Sequence, residues 1–309
     1  MSDDVSSAAA RMPLDPVEVK LIEACRKGLG LFHSEVGRLI RVAGPQPRPD
    51  SQAEQEYKTY VRPESISSAW SAAGLLIEFA GDHVTAFIKT ITSPVETVAG
   101  FTCVRSMLES CAIAAWFADP AVDAEMRTRR VFAYRFESIE QQITLLRTSG
   151  AQPGAIPVLE ARADDLEAEA IRLGFPRVTD RHGHRIGIGV RMPSATQIID
   201  EMLDLAPMYR LLSAIAHGHH WAITQLGYKE IDASPSAPDM KVLQKRINPQ
   251  GIVVLSHTAL RGLARPIWNL ARFCGWDLLR IEEAIENAAD EAAMPMKPRF
   301  WRTPLPAEA

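Results

Sequence analysis

The chain has 309 residues, a formal net charge of −4, 47% hydrophobic and 23% charged residues. That is the balance of a globular protein able to bury a sizeable core, in one large domain or two ordinary ones. An overall acidic charge argues against bulk electrostatic capture of nucleic acid, though a local basic patch is compatible with it. No apolar run approaches the roughly 20 residues needed to cross a bilayer, so no membrane partner is expected. The cysteines Cys25, Cys103, Cys111 and Cys274 form no CxxC pair. With no secretory leader in front of them, they read as reduced core thiols of a cytoplasmic protein.

In chain order, residues 1–13 have no apolar period to bury and are expected to be a disordered tail. Pro16 opens a helix to about residue 42, and the proline-rich stretch 44–63 reads as an extended loop. A second helix starts near Ser65 or Ser68. "TSPVE" carries a serine cap, a proline and a first-turn glutamate, so a third is expected from Ser93 to Phe117. "ADPAVDAE" starts a fourth, to about Arg147, and a fifth ends at Gly174.

Residues 175–193, rich in glycine, proline and arginine, predict a long irregular loop with one short strand at most. A short helix capped by Ser194 or Thr196 follows, then a helix from Pro207 to about residue 226. Residues 228–248 read as a loop or hairpin. Two last helices lead to an irregular tail, 293–309, and Pro266 is expected to kink the first of them. The fold class is therefore all-α, an antiparallel helical bundle formed by one domain over 14–292.

The candidate site lies in "YRLLSAIAHGHHW", 209–221. At about 100° per residue, Arg210, Ser213 and His217 fall on one stripe, with roughly 10 Å between the first and last Cα. Histidine moves protons near neutral pH, and arginine grips a phosphate with two prongs. Together they suit activation of a ribose hydroxyl and charge stabilisation on a phosphoryl group without a metal. His220 is a supporting candidate. So are Arg105 and Glu109, four apart on an otherwise apolar helix, either as an internal ion pair or with Glu109 receiving Arg210 or His217. Arg130, with Arg127, Tyr134, Glu137 and Ser138, sits on a broad face that reads first as solvated and second as a phosphate contact. Arg177, Arg181, Arg185 and Arg191 oppose a single acid, Asp180, which makes 175–193 either a solvated loop or a basic flap. Arg181 and Arg185 are its phosphate-binding candidates. Neither HExxH nor a cysteine pair supports a metal site among the histidines, and no cofactor motif is present.

"RLLSAIAH", an arginine and a histidine with six residues between them, resembles the signature of the HEPN superfamily of helical nucleotide-binding domains. The longer "YRLLSAIAHG", with "RSMLE" upstream, looks like an uncharacterised HEPN-related branch. The resemblance covers about 65–226. It implies a helical core, a metal-independent endoribonuclease of toxin–antitoxin or defence type, and Arg210 and His217 as the catalytic pair. It also implies a homodimer in which paired motifs meet, and RNA or a nucleotide as partner. Leu211 stands where the family usually has a polar residue after the arginine. A non-catalytic helical protein that binds nucleotide, RNA or a protein partner is the other reading.

Overall fold

The computed structural model describes residues 14–292 except 45, 94, 97, 151–153, 227, 232–241 and 246–247, with 224–226, 228–231 and 242–245 described by backbone alone. Both expected tails, 1–13 and 293–309, lie outside the described residues. The architecture is an all-α bundle with two small hairpins.

Helix α1 (Pro16–Ala43) starts at a capping box, in which Asp15 accepts from the Glu18 N–H and the Glu18 carboxylate accepts from the Asp15 N–H. After it come α2 (Gln52–Thr59), α3 (Pro63–Thr90), α4 (Ala99–Phe117), α5 (Ala124–Ser149) and α6 (Ala155–Arg172). The hairpin of β1 (Arg177–Thr179) and β2 (Arg185–Ile188) leads to α7 (Ala195–Leu203), α8 (Ala206–Ala216) and α9 (His220–Leu226). A second antiparallel pair, β3 (Tyr228–Ile231) with β4 (Val242–Lys245), precedes α10 (Pro249–Cys274) and α11 (Leu278–Glu291).

Helix α4 is the axis of the bundle because its sequence is apolar all round, as buried helices are. It packs against α3, α10, α7 and α8, and its only charged residues are Arg105 and Glu109. Small side chains let neighbours approach closely. A Cβ on Gly262 of α10 would stand 2.6 Å from Leu108 Cδ2 and 2.9 Å from Met107 Cε of α4, so any larger residue there would push these side chains aside. A second, smaller core joins Phe132, Phe136 and Ile143 of α5 to Leu159 and Ala163 of α6 and to Phe175 and Ile188 of the first hairpin.

Four expectations need correction. The stretch 44–63 is not wholly extended, because Ser51 caps α2 by accepting from the Glu54 N–H. The third long helix starts at Ala99 rather than at Ser93. Val95 is buried and the Glu96 N–H bonds the Thr90 carbonyl, so the intervening chain closes the end of α3 instead of opening α4. Residues 175–193 contain two paired strands, not one at most. The helix expected over 207–226 is two helices, broken at 217–219. The reason is a Schellman closure: Gly218 takes φ +72°, its N–H bonds Ile215 O, and the His219 N–H bonds Ala214 O at 2.9 Å. Helix α10, by contrast, continues through Pro266 to Cys274.

Candidate functional site

Helix α8 buries Leu205, Tyr209, Leu212 and Ile215, spaced four, three and three apart, so its inner face is set by that period. Residues offset from that face turn outward. Arg210 and His217 are exposed and Ser213 is half-buried. His217 is the C-cap, with φ −86° and ψ 4°, and its N–H still bonds Ser213 O. It therefore stays on the stripe that Arg210 begins. Neither Arg210 nor His217 has a side-chain hydrogen bond or ion pair among the described residues, and the His217 ring has the His219 ring 6.4 Å away. His220 has left the stripe, since it opens α9 after the break.

The outward stripe rests on a polar anchor beneath it. Tyr209 Oη donates to Glu109 Oε1 at 2.7 Å, and Arg105 Nη2 pairs with the same carboxylate oxygen at 2.9 Å. The Arg105 guanidinium also lies 5.6 Å over the Tyr209 ring and donates a longer bond, 3.4 Å, to its hydroxyl. Burial, and then the Glu109 carboxylate, push the Tyr209 phenol above its ordinary value, so it remains a donor. Glu109 thus receives Tyr209, and not Arg210 or His217. The period that buries 205, 209 and 212 would have placed Tyr209 inward beside α4.

The arginines assigned to phosphate have other partners. Arg130 donates to Trp116 O, pairs with Asp119 Oδ2 at 3.2 Å, and lies 5.1 Å over the Trp116 ring. Its neighbour Arg127 is fully buried, contrary to a solvated face. It forks onto Glu56, donates to the carbonyls of Phe117, Asp119 and Val122, and sits 3.8 Å over the Phe273 ring. Arg185 pairs with Asp164 and Glu167, at 2.9 and 2.7 Å, over the Phe136 ring, and Arg177 pairs with Glu167. The counter-charge missing from the loop's own sequence comes from α6. Arg181 is exposed beside His182. The hairpin packs on α5, where Arg185, Arg191, Glu109 and Glu137 line a cavity of about 540 Å³.

Three of the four cysteines are buried, Cys103 is half-buried, and all four are free thiols. Among the described residues no group of three or more histidine, cysteine or acidic side chains is placed to hold a metal ion. No described helix is long and apolar enough to cross a membrane. Comparison with family models, with curated proteins and with solved structures found no match.

Proposed function

We propose that the α8 stripe acts on RNA, as a metal-independent endoribonuclease, with His217 moving the proton and Arg210 holding the phosphate. The observation that carries this reading is the contrast along one helix. Tyr209 is tied to Glu109 and Arg105, while Arg210 and His217, on the outward side, have no side-chain hydrogen bond or ion pair among the described residues. A guanidinium and an imidazole exposed on one stripe can engage a phosphodiester and a ribose hydroxyl.

In such a step the 2′-hydroxyl gives its proton to a base and attacks phosphorus. The bond to the 5′-oxygen breaks, and that oxygen takes a proton as it leaves. The products are a 2′,3′-cyclic phosphate and a free 5′-hydroxyl. One imidazole serves as base and then as acid, or the stripe of a second copy supplies the other group. The exposure of the stripe is compatible with a long polynucleotide lying over it and with such pairing. The resemblance of "RLLSAIAH" to the HEPN signature supports the same assignment.

Purified full-length protein incubated with mixed RNA and a chelator is expected to yield cyclic-phosphate ends, and His217→Ala is expected to yield none. Equal cleavage by both proteins would rule the assignment out. A second reading, RNA binding without cleavage, is favoured by Leu211, which packs against the core instead of offering a polar group beside Arg210. It predicts RNA retention that is lost in Arg210→Ala, with intact RNA recovered throughout.

A further inference from the structure

The break between α8 and α9 sets two imidazoles side by side. His217 ends α8 as its C-cap, and its N–H bonds Ser213 O at 3.0 Å. Gly218, at φ +72°, turns the chain. His219 is then held from both sides. Its N–H bonds Ala214 O at 2.9 Å, and its carbonyl accepts from the Ala222 and Ile223 N–H groups at 3.0 and 3.2 Å. Both backbones are therefore fixed by helix ends. Both side chains are exposed, with ring centroids 6.4 Å apart and planes at 70°. Neither ring has a hydrogen bond or ion pair among the described residues. Among those residues no third ligand stands with the two rings to complete a metal site.

Opening a phosphodiester from its own 2′-hydroxyl needs two proton transfers, on opposite sides of phosphorus. The entering oxygen loses a proton, and the leaving oxygen, in line with it, gains one. A single imidazole must serve them in turn, whereas two can serve them together. Two imidazoles that each lie within about 3 Å of their own oxygen must stand several ångströms apart. The spacing of His217 and His219 meets that condition. Histidine is also the side chain that exchanges its proton near neutral pH, so such a pair can hold one neutral ring and one charged ring.

We propose that His217 and His219 divide the two transfers within one chain, which makes His219 a second catalytic residue. This inference rests on the ribonuclease reading of the α8 stripe. One neutral imidazole takes the 2′-hydroxyl proton as the bond from that oxygen to phosphorus forms. The other, protonated, gives its proton to the 5′-oxygen as the bond from phosphorus to that oxygen breaks. The cyclic phosphate and the 5′-hydroxyl leave, and proton exchange with water restores the pair. A second copy of the chain is not required to supply the other group.

The test uses the full chain, with a chelator present, and two substrates built around the cleavage site of the unaltered protein. One is ordinary RNA. The other carries sulfur in place of the bridging 5′-oxygen at that site. A thiolate leaves without a proton, so the second substrate needs the base and not the acid. His219→Ala is expected to slow ordinary RNA about a hundredfold or more, and His217→Ala at least as much. One of the two variants is expected to cleave the sulfur-bridged RNA at the parent rate, which identifies the proton donor and shows that this variant is folded. The other is expected to stay slow on both substrates. Three results would overturn the proposal: parent-like cleavage of ordinary RNA by His219→Ala, recovery of neither variant, or recovery of both. Failure of the unaltered protein to cleave RNA would remove the ribonuclease reading itself, and this inference with it.

Discussion

Tyr209 Oη lies 2.7 Å from Glu109 Oε1, so the helix that carries Arg210 and His217 is bonded to the middle of the bundle's central helix. The bond is partly buried, and Arg105 braces its acceptor. Tyr209→Phe keeps the packing and removes the hydroxyl. A hydrogen bond to a charged group contributes about 1.5–3 kcal/mol. The variant is expected to lose that much in urea denaturation. If the stripe cleaves RNA, the variant should also cleave more slowly, because α8 then loses its hydrogen bond to α4. Unchanged stability would mean that solvent replaces the phenol without loss.

Arg210→Ala and His217→Ala should behave differently from a substitution in the core. Both side chains are exposed and without ion pairs among the described residues, so each variant is expected to stay within about 0.5 kcal/mol of the parent. Paired measurements of melting and of RNA cleavage or retention separate function from structure. Loss of the RNA readout with unchanged melting supports the stripe. A large drop in melting would show that these residues hold the bundle together instead.

The helical class and most long helices were legible from apolar periodicity and from start signals such as Pro16 and Ser194, because those signals are local. What was not legible depended on contacts between distant segments. The break after Ala216 was hidden because "HGHH" carries its glycine where a helix pattern tolerates one, and the closure shows only once His219 bonds Ala214. His217 is the C-cap at this break, and its N–H still bonds Ser213 O in the helical pattern. The basic loop misled for a related reason. Arg177 and Arg185 are balanced by Glu167 and Asp164, three apart on α6, and a local count of acids cannot see them. Arg127 was read as surface because its partner Glu56 lies 71 positions away, on a helix the sequence hid among prolines.

Arg127 is the most deeply buried charged residue among those described. Its guanidinium is fully buried, and Glu56 and three backbone carbonyls from 117, 119 and 122 surround it. Removing one partner of a buried pair leaves the other charge uncompensated, at a cost of roughly 3–5 kcal/mol. Arg127→Leu is expected to destabilise by that order in chemical denaturation. Arg127→Lys should restore little, because an ammonium cannot fork onto Glu56 and reach three carbonyls together. A double variant, Arg127→Leu with Glu56→Leu, should recover part of the loss by removing the stranded carboxylate.

Glu167 gives the hairpin its pH dependence. Its carboxylate is buried, and the Arg177 bond, with Arg185 beside it, holds it below the usual carboxylate range despite the opposing effect of burial. A carboxylate lowered on folding binds protons more readily in the unfolded chain, so folding stability rises with pH through this window. The contribution is fully present above the ordinary value of 4.5 and is lost as pH falls through the lower, folded-state value. Hydrogen exchange at residues 177–188 should therefore show protection at neutral pH that declines in acid, earlier than protection in α4. Glu167→Gln removes the charge at every pH and leaves two arginines facing a weaker acceptor. It should cost about 1–3 kcal/mol at neutral pH and flatten the acid-dependent loss in this region. An unchanged acid profile in Glu167→Gln would transfer the effect to Asp180, whose carboxylate accepts from the His182 and His184 N–H groups and is also held below its ordinary value.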